Sequence, residues 1–291
     1  MSAKVVVLGA GIMGSGVAQL AAMAGDDAAV RDVSAEQLER ARTGVERSLA
    51  RFVKSGKLTE DEAAAVLGRI LFTEDLSAAA DGADVLIEAV PEILELKQRV
   101  LTEALAVLPK DALLGTNTSQ LSITRIGAAL GTHASRLVGI HFFNPPVMMR
   151  LVEVIAGLQT DPEAVERAKA FGEHLGREVV VCRKDSPGFI TSRAYAILRL
   201  ECVKMLEEGI ATAEDIDTAL KLGFNFPMGP LELGDMNGVD TYVHAIEGLA
   251  EAHGDRFRPT VGLRNMVAAG RFGRKSGAGF YAYDDDGNRI A

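Results

Sequence analysis

The sequence predicts an α/β protein in two parts. A doubly wound, mostly parallel sheet with an inserted helical hairpin is expected over residues 1–184, followed by an all-α domain over residues 185–291. Short apolar, β-branched runs alternate with helix-period segments as far as about Val181, which is typical of a parallel sheet with crossover helices. From Ile190 onward no run has the length of a sheet strand. A chain of 291 residues also favours two domains over one core.

The first strand is the apolar run Lys4–Leu8, which breaks at Gly9 and leads directly into a helical segment. The spacing G-x-G-x-x-G at this position is typical of Rossmann-type dinucleotide binding. One glycine allows the tight turn, the second lets a diphosphate approach the backbone, and the third lets the helix pack closely on the strand. The alternative is a glycine-rich turn in an ordinary βα unit. The predicted cofactor-binding residues of this loop are Gly9, Gly11, Ile12, Met13 and Gly14.

An acidic residue, Asp32, ends the second strand-like run, Asp27–Arg31. A carboxylate at this position would bind the ribose hydroxyls of adenosine, and it would repel the 2′-phosphate of NADP. NAD is therefore the predicted cofactor, although the neighbouring Arg31 leaves some use of NADP open.

A helical hairpin is predicted after Asp32, where a simple βαβ unit would cross straight over. Ser34 can cap a long helix that ends at Ser55-Gly56, and Thr59 with Glu62 has the form of a capping box opening a second helix to about Leu67. Insertions of this kind at the ligand edge usually carry substrate contacts or an interface.

The remaining elements follow from hydrophobic periodicity. Further strands are expected at 72–73, 84–90, 112–116, 137–140, 151–155 and 178–181, with helices at 76–80, 94–108, 122–130 and 162–175. The helices of the second domain are expected at 193–208, 213–222, 231–251 and 260–269. The first of these is apolar on more than one face, which favours contact with a second subunit.

Composition excludes several classes of protein. A net charge of −9 argues against nucleic acid as a partner. Two cysteines, Cys182 and Cys202, form neither a disulfide framework nor a zinc site, so we expect reduced thiols, a cytoplasmic protein and no metal. No apolar run reaches the roughly 20 residues that span a bilayer, and a strand starting at about Lys4 leaves no room for a signal peptide.

Polar side chains follow several strands at the edge where ligands bind in open α/β sheets. His141 ends an apolar strand and is the candidate for proton transfer, with Glu153, the acid within the next apolar strand, as the acceptor that orients it. His141 could instead be a core histidine bonded to a carbonyl, and Glu153 a surface acid at a strand end. Ser119 could donate to a substrate oxygen or cap the helix that follows.

A family resemblance rests on an ordered set of motifs that covers nearly the whole chain. The chain resembles the L-3-hydroxyacyl-CoA dehydrogenases, and the bacterial 3-hydroxybutyryl-CoA dehydrogenases most. The motifs are GAGIMG at 9–14, NTS at 117–119, HFFNP at 141–145, LVEV at 151–154, SPGF at 186–189, GPLELGD at 229–235 and GRKSGAGFY at 273–281.

The resemblance implies an NAD-dependent, reversible oxidation of the 3-hydroxyl of an acyl-CoA. The catalytic dyad of the family falls on His141 and Glu153, and its substrate-bonding serine on Ser119. The inserted hairpin would hold the CoA moiety, at Ser48 and Lys54. Members are homodimers through the helical domain. By position in the motifs, the nucleotide contacts of the family fall on Asp32, Glu92, Lys97, Ser119, Asn144 and Lys275, and Asn144 would also face the substrate.

The chain departs from the family pattern at two positions. Gln120 stands where the family usually has serine, beside Ser119. Ser192 stands where the family usually has the asparagine that bonds the carbonyl region of the substrate, so Ser192 is the expected counterpart in the catalytic site. A serine is shorter and offers one donor, which bears on the acyl-CoA assignment rather than on the dehydrogenase chemistry.

Two other functions remain open at this point. One keeps the fold, His141 and NAD but takes a free hydroxy acid or a polyol as substrate, which Ser192 and Gln120 favour and the intact 117–119 motif disfavours. The other is a non-catalytic nucleotide-binding protein, like crystallins recruited from this superfamily. The joint presence of His141 and Glu153 argues against that second alternative.

Overall fold

A computed structural model describes residues 2–290, so Met1 and Ala291, the outer ends of the two predicted domains, lie outside the described residues. Within them the chain forms two compact units, which divide between Phe189 and Ile190.

The first unit contains an eight-stranded sheet. Its strands are β1 (Lys4–Leu8), β2 (Asp27–Arg31), β3 (Ile70–Thr73), β4 (Val85–Glu88), β5 (Leu113–Thr116), β6 (Leu137–Phe142), β7 (Leu151–Ala156) and β8 (Glu178–Cys182). Their order across the sheet is β3-β2-β1-β4-β5-β6-β7-β8, and every neighbouring pair is parallel except β6 with β7. The predicted doubly wound, mostly parallel sheet is confirmed.

The helices of this unit cover both faces of the sheet. They are α1 (Ile12–Met23), α2 (Ala35–Lys54), α3 (Glu60–Gly68), α4 (Leu76–Ala80), α5 (Leu94–Leu105), α6 (Ile123–Gly127) and α7 (Pro162–His174). Side chains of β1 alternate between two hydrophobic clusters: Val5 and Val7 pack with residues of α1, α2 and α7, while Val6 and Leu8 pack with residues of α4, α5 and α6. This alternation explains why β1 is apolar at every position from Val5 to Leu8.

The inserted hairpin forms with the predicted caps. The Ser34 hydroxyl accepts a hydrogen bond from the Gln37 amide, and Thr59 and Glu62 form both halves of the capping box. The inner face of α2 is buried through Leu38, Val45 and Leu49. The predicted helix over 122–130 is shorter than expected: α6 ends at Gly127, and a 3-10 turn follows at Gly131–Arg136.

The second unit is mostly helical. It contains α8 (Thr191–Glu207), α9 (Ala213–Phe224), α10 (Pro230–Asn237), α11 (Val239–His253) and α12 (Val261–Ala268), with 3-10 turns at Asp255–Phe257 and Arg274–Ser276 and two short strands, β9 (Ala282–Tyr283) and β10 (Arg289–Ile290). The single helix predicted over 231–251 is wrong. Gly238 has a φ of 98°, a left-handed value that ends α10 before α11 begins.

The strands β9 and β10 form an antiparallel pair of two residues each, too short to leave an alternation in the sequence. Among residues 2–290, no helix combines the length and the apolar character that crossing a bilayer requires.

Candidate active site

The glycine loop joins β1 to α1, and its three glycines meet different surroundings. A Cβ at Gly9 would lie 2.7 Å from the Ala89 carbonyl oxygen, and one at Gly14 would lie 1.9 Å from the Gly9 carbonyl oxygen. A Cβ at Gly11 would have no atom within 4 Å. Packing of the protein itself therefore requires Gly9 and Gly14, whereas Gly11 leaves open space in front of the backbone.

The first turn of α1 lies directly behind this open space. Its N-cap, Gly11, offers no side-chain hydrogen bond, and Ile12 is 73% exposed. The free N–H groups of a helix of this length favour an anion at its N-terminus. Met13 is the second residue of the same turn.

Asp32 closes the loop from the side of β2. Its Oδ2 accepts a hydrogen bond of 2.8 Å from the Ala10 amide, and its Oδ1 accepts one of 3.0 Å from the Ser34 amide. Arg31 donates from Nε to the Glu74 carbonyl oxygen at 3.2 Å. An open backbone at Gly11, uncapped N–H groups on α1 and a carboxylate fixed beside them fit a dinucleotide with free ribose hydroxyls.

His141 and Glu153 are directly opposed in the antiparallel pair β6–β7. The distance from His141 Nδ1 to Glu153 Oε2 is 2.9 Å, and the two residues are 7% and 0% exposed. The interpretation of Glu153 as a surface acid is therefore wrong, and the partner of His141 is a carboxylate rather than a carbonyl. An ionised carboxylate only accepts, so the ring proton is assigned to Nδ1, which leaves the Nε2 lone pair available.

Aromatic side chains border the imidazole. The ring of Phe143 lies 4.6 Å from the His141 ring, and that of Phe189 lies 5.9 Å away, centroid to centroid. The side-chain oxygen of Asn117 accepts a hydrogen bond of 2.8 Å from the Phe142 amide, which ties the end of β5 to the residue after His141. This shielded environment suits a proton-transfer group.

The segment Asn117–Gln120 is held by Glu92. Glu92 Oε1 accepts hydrogen bonds from the Ser119 amide at 3.1 Å, from the Gln120 amide at 3.1 Å and from the Thr118 hydroxyl. Ser122 accepts from the Arg125 amide at 3.1 Å and is the N-cap of α6. The capping role is thus filled by Ser122, and the hydroxyl of Ser119 is not committed to it.

Lys97 lies beneath this segment and is only 1% exposed. Its ammonium contacts Glu88, Glu92 and the Val90 carbonyl oxygen. The hydrogen-bonding partners of the Lys97 ammonium within the described residues are all protein oxygens. Its direct contact with the nucleotide therefore remains a prediction. Sequence reasoning had no role for Glu88, although an acid at the end of a fully apolar strand was a signal that a partner must be nearby.

A cavity of about 750 Å³ lies between α1, α2 and the loop after β6. Gly11 and Ser15 line it from α1, Ser48 from α2, and Pro145–Met148 from the loop. It also contains the cationic side chains of Arg40, Arg51 and Lys57. Of the two residues predicted to hold CoA, Ser48 lines the cavity and Lys54 does not. Sequence reasoning missed Arg40 and Arg51, although basic residues recur along α2, and it missed Lys57 in the turn after α2.

The other predicted site residues lie in varied surroundings. Asn144 is exposed in the loop after β6. In the second unit, Ser192 is half-buried in the first turn of α8, and Lys275 contacts Asp240 at 2.7 Å. Within the described part of the chain, no group of three or more His, Cys, Asp or Glu side chains could hold a metal ion.

Comparison with known proteins decides the family. Residues 4–186 match the family model of the 3-hydroxyacyl-CoA dehydrogenase NAD binding domain, and residues 188–283 match that of the 3-hydroxyacyl-CoA dehydrogenase C-terminal domain. The chain belongs to the 3-hydroxyacyl-CoA dehydrogenase family. Its N-terminal unit is accordingly an NAD-binding domain.

Relatives within the 3-hydroxyacyl-CoA dehydrogenase family match over nearly full length. A probable 3-hydroxybutyryl-CoA dehydrogenase of Deinococcus radiodurans is 42% identical over 95% of this chain and 99% of its own. A 3-hydroxybutyryl-CoA dehydrogenase of Bradyrhizobium diazoefficiens is 42% identical over 96% of this chain and 95% of its own. The crystal structure of (S)-3-hydroxybutyryl-CoA dehydrogenase from Ralstonia eutropha superposes with a TM-score of 0.93, at 37% identity over 98% of this chain and 100% of that one.

Proposed function

We propose that this protein catalyses the reversible, NAD-dependent oxidation of L-3-hydroxyacyl-CoA to 3-oxoacyl-CoA, with 3-hydroxybutyryl-CoA as the short-chain substrate. The observation that carries the proposal is the buried pair of His141 and Glu153, 2.9 Å apart at the ligand edge of an NAD-binding sheet. Family membership and the names of its relatives supply the substrate class.

His141 is the proposed general base. Its Nε2 accepts the proton of the 3-hydroxyl during oxidation and returns it during reduction. The chemistry that NAD supplies when bound is acceptance of the hydride from C3. Glu153 holds the imidazole by its Nδ1–H and stabilises the imidazolium that forms, because an anion opposite Nδ1 favours the protonated ring. The hydroxyl of Ser119 donates to the substrate oxygen, and Ser192 is the proposed contact to the carbonyl region.

The nucleotide is proposed to lie on the glycine loop, with Asp32 on the adenosine ribose. Glu92, Lys97, Ser119, Asn144 and Lys275 complete the proposed contacts, by their positions in the family motifs. Asp32 favours NAD over NADP because its carboxylate would repel a 2′-phosphate. The hydrogen bond of Arg31 to the Glu74 carbonyl supports this preference, since it occupies one donor of the cation that ends β2, directly before Asp32 in the chain, in place of a 2′-phosphate ligand.

The CoA moiety is proposed to occupy the cavity beside α2. The cavity is about 750 Å³ and presents Arg40, Arg51 and Lys57, which suit the phosphates of CoA. Ser48 is the proposed hydrogen-bond donor within it, and Lys54 and Asn144 remain proposed contacts. A free hydroxy acid carries no phosphate for Arg51 and Lys57 to bind, whereas Arg40 already pairs with Glu36.

Assembly and location are also proposals. We propose a homodimer through the helical unit, in which Leu222 and Phe224 are 83% and 73% exposed. The two free thiols, Cys182 and Cys202, favour the reducing cytoplasm.

A substrate panel tests the proposed function. NADH consumption is measured with acetoacetyl-CoA and with free acetoacetate at equal concentrations. We expect turnover of acetoacetyl-CoA to be far faster, because only this compound carries the CoA moiety that the cavity beside α2 is proposed to bind. Equal rates on both compounds would exclude the CoA assignment. No turnover of either, despite NADH binding, would favour a non-catalytic protein.

A further inference from the structure

Lys97 is unusual because a complete lysine side chain lies inside the first unit. It is 1% exposed, and its ammonium lies 2.8 Å and 3.1 Å from the two carboxylate oxygens of Glu88. The same ammonium donates to the Val90 carbonyl oxygen at 3.1 Å and lies 3.2 Å from Glu92 Oε2. One cation thus lies between two carboxylates, one of them fully buried.

Glu88 and Glu92 each accept hydrogen bonds from the segment 116–120, but from different residues of it. Glu88 Oε2 accepts a hydrogen bond of 2.6 Å from the Thr116 hydroxyl, at the end of β5. Glu92 uses its other oxygen, Oε1, to accept from the Ser119 and Gln120 amides and from the Thr118 hydroxyl. Every residue from Thr116 to Gln120 except Asn117 is therefore bonded to a carboxylate that Lys97 contacts.

Charge explains why such a cluster holds its geometry. An isolated buried ammonium or carboxylate is costly, so Glu88 and Lys97 keep each other in place. Burial raises the pKa of Glu88, although Lys97 and Thr116 oppose the rise. Burial also acts on Glu92, but the charge of Lys97 and the hydrogen bonds from Thr118 and Gln120 outweigh it, so the pKa of Glu92 is lowered.

We propose that Glu88 and Lys97 are positioning residues for the reaction. Through Lys97, the buried Glu88 fixes the carboxylate of Glu92, which in turn fixes the backbone of Ser119 and so the direction of its hydroxyl. The inference rests on the proposed function, in which Ser119 contacts the substrate oxygen.

The central test compares two single variants and their combination. Lys97→Met leaves the buried Glu88 without its cation, whereas Glu88→Gln leaves Lys97 paired with Glu92. Combining Glu88→Gln with Lys97→Met removes both charges of the buried pair at similar volume. Replacing a whole buried pair by neutral groups commonly restores stability, while removing one partner does not. The thermal midpoint of the double variant should therefore exceed that of Lys97→Met. Should Lys97→Met fail to fold, the double variant still tests the role of its ammonium.

Activity should not recover in the same way. In the double variant, at saturating NADH so that the proposed nucleotide contact of Lys97 does not limit turnover, we expect kcat with acetoacetyl-CoA to remain about 10- to 100-fold below wild type, because a small misplacement of a positioning group has costs of this size. KM for acetoacetyl-CoA should change less, since the CoA cavity is untouched. A double variant that regains both the thermal midpoint and kcat would overturn the proposal.

Amide hydrogen exchange gives a readout on the protein alone, without cofactor or substrate. In the double variant the Ser119 and Gln120 amides should exchange at least about 10-fold faster, because their carboxylate acceptor is no longer fixed and exchange follows local opening. Unchanged exchange would also overturn the proposal. This readout decides the positioning claim even if wild type fails to reduce acetoacetyl-CoA, an outcome that would count against the proposed function instead.

A matched control lies at the opposite edge of the sheet. Asp26 is fully buried at the amino end of β2, where it contacts His174 Nε2 at 3.0 Å and accepts from the Ala3 amide at 2.8 Å. Asp26→Asn also disturbs a buried carboxylate, in this case one bonded to a histidine ring nitrogen, and its hydrogen-bond partners do not lead to Ser119. We expect a lower thermal midpoint with kcat unchanged, and a loss of kcat in this control matching that of the double variant would contradict the proposed specificity.

Discussion

At the scale of single residues, the pairing register is what makes His141 useful. His141 and Glu153 are twelve positions apart in the chain but directly opposite in the β6–β7 pair, so the backbone itself brings the two side chains together. A slip of one residue would turn Glu153 to the other face of the sheet. The sequence indicated both residues and their adjacent strands, but the register had to come from the structure.

Replacing His141 by glutamine should abolish proton transfer while keeping much of the shape of the side chain. We expect kcat to fall by about 10²–10⁴, the usual contribution of general acid–base catalysis, with NADH affinity retained in a fluorescence titration. His133→Gln, at an exposed position, is the control and should leave kcat unchanged. Near-normal turnover of His141→Gln would remove this residue from the mechanism.

Asp32 should set the preference between the two nicotinamide cofactors. In Asp32→Ala the KM for NADH should rise and that for NADPH should fall, with the ratio shifting by about 10-fold, or about 1.4 kcal/mol. Glu36→Ala, an exposed acid in the first turn of α2, serves as the control and should leave the ratio unchanged. An unchanged ratio in Asp32→Ala would contradict the ribose contact.

A variant at Ser192 tests whether serine in place of the usual family asparagine affects turnover of an acyl-CoA. Ser192→Asn restores the usual family residue in the first turn of α8. We expect turnover of acetoacetyl-CoA to be preserved or raised, measured by NADH consumption at saturating substrate. A large loss would mean that the pocket is built around serine, for another substrate.

At the scale of elements, α2 shows which features of a helix can be predicted from hydrophobic periodicity and which cannot. Its caps and its apolar face through Leu38, Val45 and Leu49 were predictable because both depend on local spacing. Its functional face was not, because a cavity exists only once the loop Pro145–Met148 packs near it. At Gly238 the periodic pattern predicted too much regular structure. The hydrophobic spacing continues through this residue and predicts one helix, but its left-handed backbone separates α10 from α11.

Two basic residues of α2 can be compared as CoA contacts: Lys54, which the family resemblance implies, and Arg51, which the cavity favours. Arg51 lines the cavity and Lys54 does not, although both are exposed in the last turn of α2. Arg51→Ala should raise KM for acetoacetyl-CoA by about 5-fold, since a partly exposed charge contact is worth about 1 kcal/mol. Lys54→Ala is its matched control. A larger effect at Lys54 than at Arg51 would contradict CoA binding in this cavity.

At the scale of the whole molecule, the sequence predicted the order and type of most elements but not the contacts between distant ones. The sheet could be predicted because apolar strand-like runs alternate with helix-period segments along the chain, and both kinds of segment are recognised from short stretches of sequence. The cluster of Glu88, Lys97 and Glu92 joins β4, α5 and the segment after β5, and no local spacing encodes it. Ionisable side chains that end apolar strands are the one local sign of such clusters.

Self-association is the prediction that belongs to this scale. Light scattering should give a mass of twice 30.9 kDa. Phe224→Glu places a charge on an exposed apolar position of the helical unit and should shift the protein toward the monomer. Leu158→Glu, at an 87% exposed position of the first unit, is the control. A wild-type monomer at micromolar concentration would contradict the proposed dimer.

The glycine loop also bears on inherited variation. Gly9 and Gly14 fit against backbone atoms, so alleles that enlarge either residue should be lost through misfolding and degradation of the product. Gly11 faces open space, so an allele such as Gly11→Val should yield a normally abundant polypeptide deficient in NAD binding. The middle glycine is therefore the position at which a loss of activity without a loss of folded protein is expected.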